Sequence, residues 1–151
     1  MVFSCLVCGS LDGSEHKQKP LELLESEEFK RVPRFIPRPV KGRVVSVYDS
    51  DTITVVAYMP TLYKFSVRVL GIDGPELRTK NEREKALALK GKSFTESFCL
   101  NKVVELKNHG KEKYGRVLAE VWIDGKSLGK GLIAAGLARA YDGGHKEPWF
   151  V

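Results

Sequence analysis

Tyr63-Lys64-Phe65-Ser66-Val67-Arg68-Val69-Leu70-Gly71-Ile72-Asp73-Gly74-Pro75-Glu76 carries a strand period that runs into a charged loop. Its first half alternates: Tyr63, Phe65, Val67 and Val69 on one face, Lys64, Ser66 and Arg68 on the other, the period of a half-buried strand. A long cation at position 68 then points out of the core or into a cleft. The run stops at Gly71, and 71–80 reads as a loop. Working upstream, Pro60-Thr61 marks a turn, 52–59 is rich in β-branched residues, and Val44, Val45, Val47 and Tyr48 belong to an earlier strand.

Downstream the period changes. Residues 82–99 read as a helix with Asn81 as N-cap and Leu87, Gly91, Phe94 and Phe98 on one face. A short strand follows at 103–106, Asn108-His109-Gly110 reads as a turn, and 117–123 is another strand ended by the hairpin signal Asp124-Gly125. Leu128, Leu132 and Ala135 mark a short helix that stops at Gly136, and 137–141 returns as a brief strand. About five strands with one inserted helix and a short second helix point to a mainly β fold, a five-stranded Greek-key barrel.

The chain has 151 residues, enough for one sizeable core, and a net charge of +6, which favours a polyanionic partner such as nucleic acid. Much of the one-sided charge lies early: Lys30, Arg31, Arg34, Arg38, Lys41 and Arg43 have no acid among them. With Pro33, Pro37 and Pro39 they form an extended basic arm, which either lines a nucleic-acid groove or packs Phe35 and Ile36 on the barrel as a lead-in. The expected division is an amino-terminal extension over 1–40 and the barrel domain over 41–151. Three cysteines make no disulfide framework. Cys5 and Cys8 with His16 leave a tetrahedral zinc one ligand short, so the pair reads as free thiols, and Cys99 reads as a small buried hydrophobe. No run is long enough for a transmembrane helix. The first eight residues lack the basic and apolar regions of an ordinary secretory signal, so an intracellular, cytoplasmic location is expected.

The chemistry sits in three blocks: Asp49-Ser50-Asp51-Thr52, 68–76, and Lys113-Tyr114-Gly115-Arg116. Their acids suit a hard cation, their arginines a phosphate, and Glu76 a proton. Each residue also has a plainer reading. Asp51 serves as a turn carboxylate, Asp73 as a loop cap, Arg68 as the polar face of a strand, and Glu76 as a surface acid or a partner of Arg68.

Together and in this order, with Gly-Leu-Ala-Arg at 136–139, the blocks resemble the staphylococcal nuclease (thermonuclease-like) family over about two thirds of the chain. The resemblance implies an OB-type barrel, calcium dependence, and hydrolysis of DNA and RNA to products ending in a 3′-phosphate. Carried over residue by residue, it implies Asp51, Asp73 and the carbonyl of Gly74 as calcium ligands. It implies Glu76 as general base, Arg68 and Arg116 as phosphate-binding arginines, and Lys113 and Tyr114 as residues at the nucleotide's phosphate end. Lys30, Arg31, Arg34 and Arg38 are candidate contacts to longer nucleic acid. Two departures stand out: Gly74 replaces the commoner threonine, and Ser50 replaces a usual glycine. The family's usual tyrosines after the last strand give way to Asp142-Gly143-Gly144. A monomer with no obligate protein partner is expected. The alternative is a non-catalytic nucleic-acid-binding module on the same barrel, and the complete set of acids and arginines separates the two.

Overall fold

The computed structural model describes residues 37–111 and 115–150. Three strands, β1 (Lys41–Val47), β2 (Thr52–Tyr58) and β3 (Leu62–Val69), form an antiparallel meander. A two-residue strand, β4 (Ile72–Asp73), leads to helix α1 (Glu82–Cys99). Then come β5 (Val103–Lys111), β6 (Val117–Ile123), β7 (Lys126–Ser127), helix α2 (Leu128–Ala134) and β8 (Arg139–Ala140). β5 runs antiparallel to both β1 and β6, and β6 pairs in parallel with β3. That parallel contact closes the sheet. The result is a five-stranded mixed β-barrel with two helices, the OB-type topology, with no open edge between β3 and β6.

The alternation of β3 holds from Phe65 on: Phe65 is half-buried, Val67 and Val69 are buried and Ser66 is exposed, whereas Tyr63 near the start of the strand is exposed too. β1 is less regular. Its register shifts between Val44 and Ser46, so Val44 and Val47 face the core while Val45 and Tyr48 are exposed. Such a bulge inserts one residue and resets which face the strand buries. The core joins these valines to Ile53 and Leu106, and Leu128, Leu132 and Cys99 from the helices plug it.

Helix α1 begins where its capping chemistry says. The Asn81 side chain accepts from the backbone N–H groups of Arg83 and Glu84, and Glu82 and Glu84 lie in the first turn. Its fully buried stripe is Ala88, Gly91, Thr95 and Cys99, and Leu87, Phe94 and Phe98 lie half-buried beside it. The expected face is thus its flank. Small residues hold the centre because the helix lies close on the barrel.

Asn108-His109-Gly110 does not turn the chain. It lies within β5, whose register against β6 shifts between Lys107 and Gly110. Asn108 has φ 53°, a value its short amide tolerates, and it donates to Glu120 across the bulge. The Asp124-Gly125 turn stands as expected, with both residues at positive φ and Ile123 opposite Lys126. Residues 71–80 are not wholly a loop, since β4 pairs Ile72 with Ala140 and Asp73 with Arg139. This small sheet fixes Asp73 and ties it to the chain's last described segment. Among the described residues no helix is long and apolar enough to cross a membrane.

Candidate active site

Asp51 sits at the start of β2, after the tight connection from β1. The connection is locked from several sides. The Tyr48 N–H donates to the Thr52 carbonyl at 2.9 Å, the Val69 N–H to the Asp51 carbonyl at 2.8 Å, and the Thr95 hydroxyl of α1 to the Ser50 carbonyl at 2.8 Å. β2 and β3 then place Thr52 directly opposite Arg68. The alternation that sent Arg68 away from the core sends it toward Asp51.

The guanidinium of Arg68 joins two carboxylates. Nη1 donates to Asp51 Oδ1 and Nη2 donates to Asp73 Oδ1 at 3.1 Å. Asp51 and Asp73 are only 3% and 7% exposed. Buried carboxylates need partners, and these have several. Asp51 Oδ2 accepts from the Gly74 N–H at 2.9 Å, and Asp51 Oδ1 accepts from the Thr52 hydroxyl at 3.0 Å. Asp73 Oδ1 also takes the Lys146 ammonium at 2.6 Å. Burial, and then the neighbouring charge of Asp51, push the Asp49 carboxyl from 3.8 up to about 6. The whole corner demands positive charge.

Arg116 approaches from β6. The parallel rung Val67–Val117 sets it beside β3, and its Nη1 reaches the Thr52 hydroxyl at 3.5 Å. Thr52 therefore links Arg116 to Asp51. Glu76 lies past buried Pro75 with its side chain 61% exposed, facing solvent at the rim. It pairs with Lys146 at 3.3 Å rather than with Arg68. Its backbone N–H donates to Glu84 at 3.1 Å, and Glu84 also takes the Thr79 hydroxyl at 2.7 Å, so α1 holds the loop that carries the glutamate.

The two departures at Ser50 and Gly74 explain each other. A Cβ on Gly74 would lie 2.0 Å from Ser50 Oγ and 3.3 Å from Ser50 Cβ. Ser50 fills the space that a side chain at 74 would need, and glycine there is the consequence.

Five of the expected residues thus gather at one end of the barrel: Asp51, Arg68, Asp73, Gly74 and, through Thr52, Arg116. Glu76 stands at the rim beside them. Lys113, Tyr114, Lys30, Arg31 and Arg34 lie outside the described residues, as do Cys5 and Cys8. Arg38 is exposed. Among the described residues no group of three or more His, Cys, Asp and Glu side chains is placed to hold a metal. Sequence patterns do not single out Lys146 or Glu84. No periodicity marks them, and the only signal near Lys146 is the pair Gly143-Gly144 that lets the chain turn back.

A barrel of this topology, with two acids bridged by one arginine and a glutamate at the rim, is an OB-type barrel with a charged corner at one end. Residues 66–148 match the family described as staphylococcal nuclease homologue, and the chain belongs to that family. It is 32% identical over 120 residues to the thermonuclease of Staphylococcus hyicus, a match covering 78% of this chain and 69% of that protein. It is 30% identical over 110 residues to an uncharacterized endonuclease of Escherichia coli, covering 72% and 66%. To the endonuclease YncB of Bacillus subtilis it is 35% identical over 102 residues, covering 60% and 43%. The chain therefore spans about two thirds of the length of the first two and less than half of the third. Asp51 lies upstream of the family match, and the structure joins it to that stretch through Arg68 and Gly74.

Proposed function

We propose that the chain is a calcium-dependent endonuclease or phosphodiesterase that hydrolyses DNA and RNA to products ending in a 3′-phosphate. The observation that carries this reading is the convergence of buried Asp51 and Asp73 on one arginine, with Glu76 at the rim of the same corner. The donor set suits a hard cation: two buried carboxylates already draw a guanidinium and an ammonium. Asp51, Asp73 and the Gly74 carbonyl would hold calcium, with water and phosphate completing the six to eight oxygen ligands it takes at about 2.3–2.6 Å. When bound it would neutralise phosphate charge and polarise the scissile group.

The chain's own residues do the rest. A phosphodiester repels an incoming nucleophile, so the site must first offset its charge. Arg68 and Arg116 each present a planar fork to phosphate oxygens, and donors aimed at the extra charge of a five-coordinate phosphorus lower the barrier more than they tighten binding. Arg68 reaches this role by exchanging Asp51 and Asp73 for phosphate. Glu76 takes a proton from a water that attacks phosphorus. The bond from phosphorus to the 5′-oxygen breaks, that oxygen takes a proton from solvent, and the phosphate stays on the 3′ side. Lys113 and Tyr114 would meet the phosphate end of the nucleotide. Lys30, Arg31, Arg34 and Arg38 would extend contact along a longer strand. A non-catalytic module would have no need to keep two buried acids, two arginines and the rim glutamate together.

Glu76→Gln tests the reading. The side chain is exposed, so the variant should fold and still bind a mononucleotide, while cleavage falls by about 10²–10⁴-fold, the usual worth of a positioned acid–base group. Near-normal cleavage by the folded variant would remove Glu76 from the chemistry.

A further inference from the structure

The protein already places a cation of its own where calcium would bind. Lys146 Nζ lies 2.6 Å from Asp73 Oδ1 and 3.3 Å from Glu76 Oε1. The same Asp73 oxygen accepts from Arg68 Nη2 at 3.1 Å, so one oxygen of a buried carboxylate carries two cationic donors.

Lys146 belongs to the segment after β8, and that segment has anchors independent of Asp73. The Tyr141 hydroxyl donates to the Gly144 carbonyl at 2.8 Å, and the Gly144 N–H donates to Asp142 at 3.0 Å. Arg139 donates to the carbonyls of Pro148 and Trp149 at 3.1 and 3.3 Å, and its guanidinium lies 4.1 Å from the centre of the Trp149 ring. Residues 142–150 thus form a strap. With Glu76, Thr79 and Glu84 it bounds a cleft of about 480 Å³. Two features bear on how firmly the strap is seated. Gly143 sits at φ 99° next to Gly144, and the Trp149 indole N–H is buried without an acceptor, so the seated strap leaves a donor unsatisfied.

We propose that Lys146 is an internal competitor of the metal: its ammonium takes the divalent cation's place at Asp73, and metal binding lifts it and the strap away. The proposal rests on Asp51 and Asp73 being the cation ligands. Asp73 Oδ1 already carries Arg68 and Lys146, so a divalent cation arriving there displaces a donor, and Lys146, whose side chain is 44% exposed, is the one that can leave into solvent. By linkage, whatever weakens the strap strengthens metal binding.

The test is calcium binding by the full chain, measured by titration calorimetry on EGTA-treated protein. Lys146→Met should bind calcium about 5- to 30-fold more tightly than the natural chain, the effect of removing one partly shielded competing charge. Lys80→Met, which removes a lysine lining the same cleft, should stay within about twofold because its charge is exposed and screened. In a Trp122→Phe background, which leaves Trp149 as the single tryptophan, emission should change as calcium saturates the chain, and the Lys146→Met form should start near the saturated value. Equal or weaker calcium binding by Lys146→Met, or emission that calcium leaves unchanged, would overturn the competitor role and leave the cation site standing. Absence of calcium binding in every form would overturn both.

Discussion

Gly74→Ala should destabilise the barrel, and it should do so through Ser50. Gly74 has no positive φ, so alanine meets no backbone penalty there. Its Cβ would instead lie 2.0 Å from Ser50 Oγ, 3.3 Å from Ser50 Cβ and 3.4 Å from Asp51 Oδ2. Ser50 is fully buried and crowded from its other side, since a Cβ on Gly91 would lie 2.8 Å from Ser50 Cβ. Contacts this short put the overpacking cost in the upper part of the usual range, about 2–3 kcal/mol. Alanine also trims the freedom of the unfolded chain, which offsets about 0.4–1 kcal/mol. The net loss should be about 1–2.5 kcal/mol, read by urea unfolding. In a Ser50→Gly background the clash disappears and the same alanine should be neutral or stabilising. The double-mutant cycle should therefore show a coupling of about 2–3 kcal/mol. Additive effects, with alanine costing the same in both backgrounds, would refute the argument that Ser50 fills the space left by Gly74.

Other outcomes follow from the site and the core. Arg68→Met removes the cation shared by Asp51 and Asp73, and in EGTA it should cost about 3–5 kcal/mol of unfolding free energy, the penalty for stranding buried charge. Excess calcium should restore part of that loss, and a loss identical with and without calcium would count against the two acids as its ligands. Burial pushes the Cys99 thiol from 9.0 up to about 12, against a smaller downward pull from Lys102. The folded state therefore keeps its proton longer than the unfolded one. The stabilisation is full below about pH 9 and disappears as pH rises from about 9 to 12. At neutral pH iodoacetamide should leave Cys99 unlabelled in folded protein, and labelling at the unfolded rate, mapped by peptide, would show the thiol to be accessible.

Much of the barrel was legible because it rests on local rules. The alternation from Phe65 to Val69, the Asn81 cap and the Asp124-Gly125 turn each express backbone chemistry within a few residues. The misreadings came where distant contacts decide. Asn108-His109-Gly110 carries a turn's composition, yet β6 supplies a partner strand and converts it into a bulge. The buried stripe of α1 runs through Ala88, Gly91 and Thr95, because close approach to the barrel favours small residues over the larger ones that periodicity picks out. In the site, Asp51, Arg68, Asp73 and Arg116 are candidates through the family resemblance of their three blocks in order, since each alone has a plainer reading. The exchange of side-chain volume between Ser50 and Gly74 was visible only as two separate oddities, since they are 24 positions apart and meet only in the folded chain. Lys146 has no signal of its own beyond the neighbouring Gly143-Gly144 pair. Its role depends on a strap whose course is set by Arg139, Tyr141 and Trp149.

The most direct test of the central claim is cleavage of single- and double-stranded DNA and RNA by the purified chain in calcium, in magnesium and in EGTA, followed by analysis of the product ends. The expected result is cleavage in calcium to 3′-phosphate and 5′-hydroxyl ends, far less in magnesium, whose smaller ion wants near-ideal octahedral geometry and gives up its waters reluctantly, and none in EGTA. Binding without cleavage in calcium, equal turnover in magnesium alone, or products ending in a 3′-hydroxyl would contradict it.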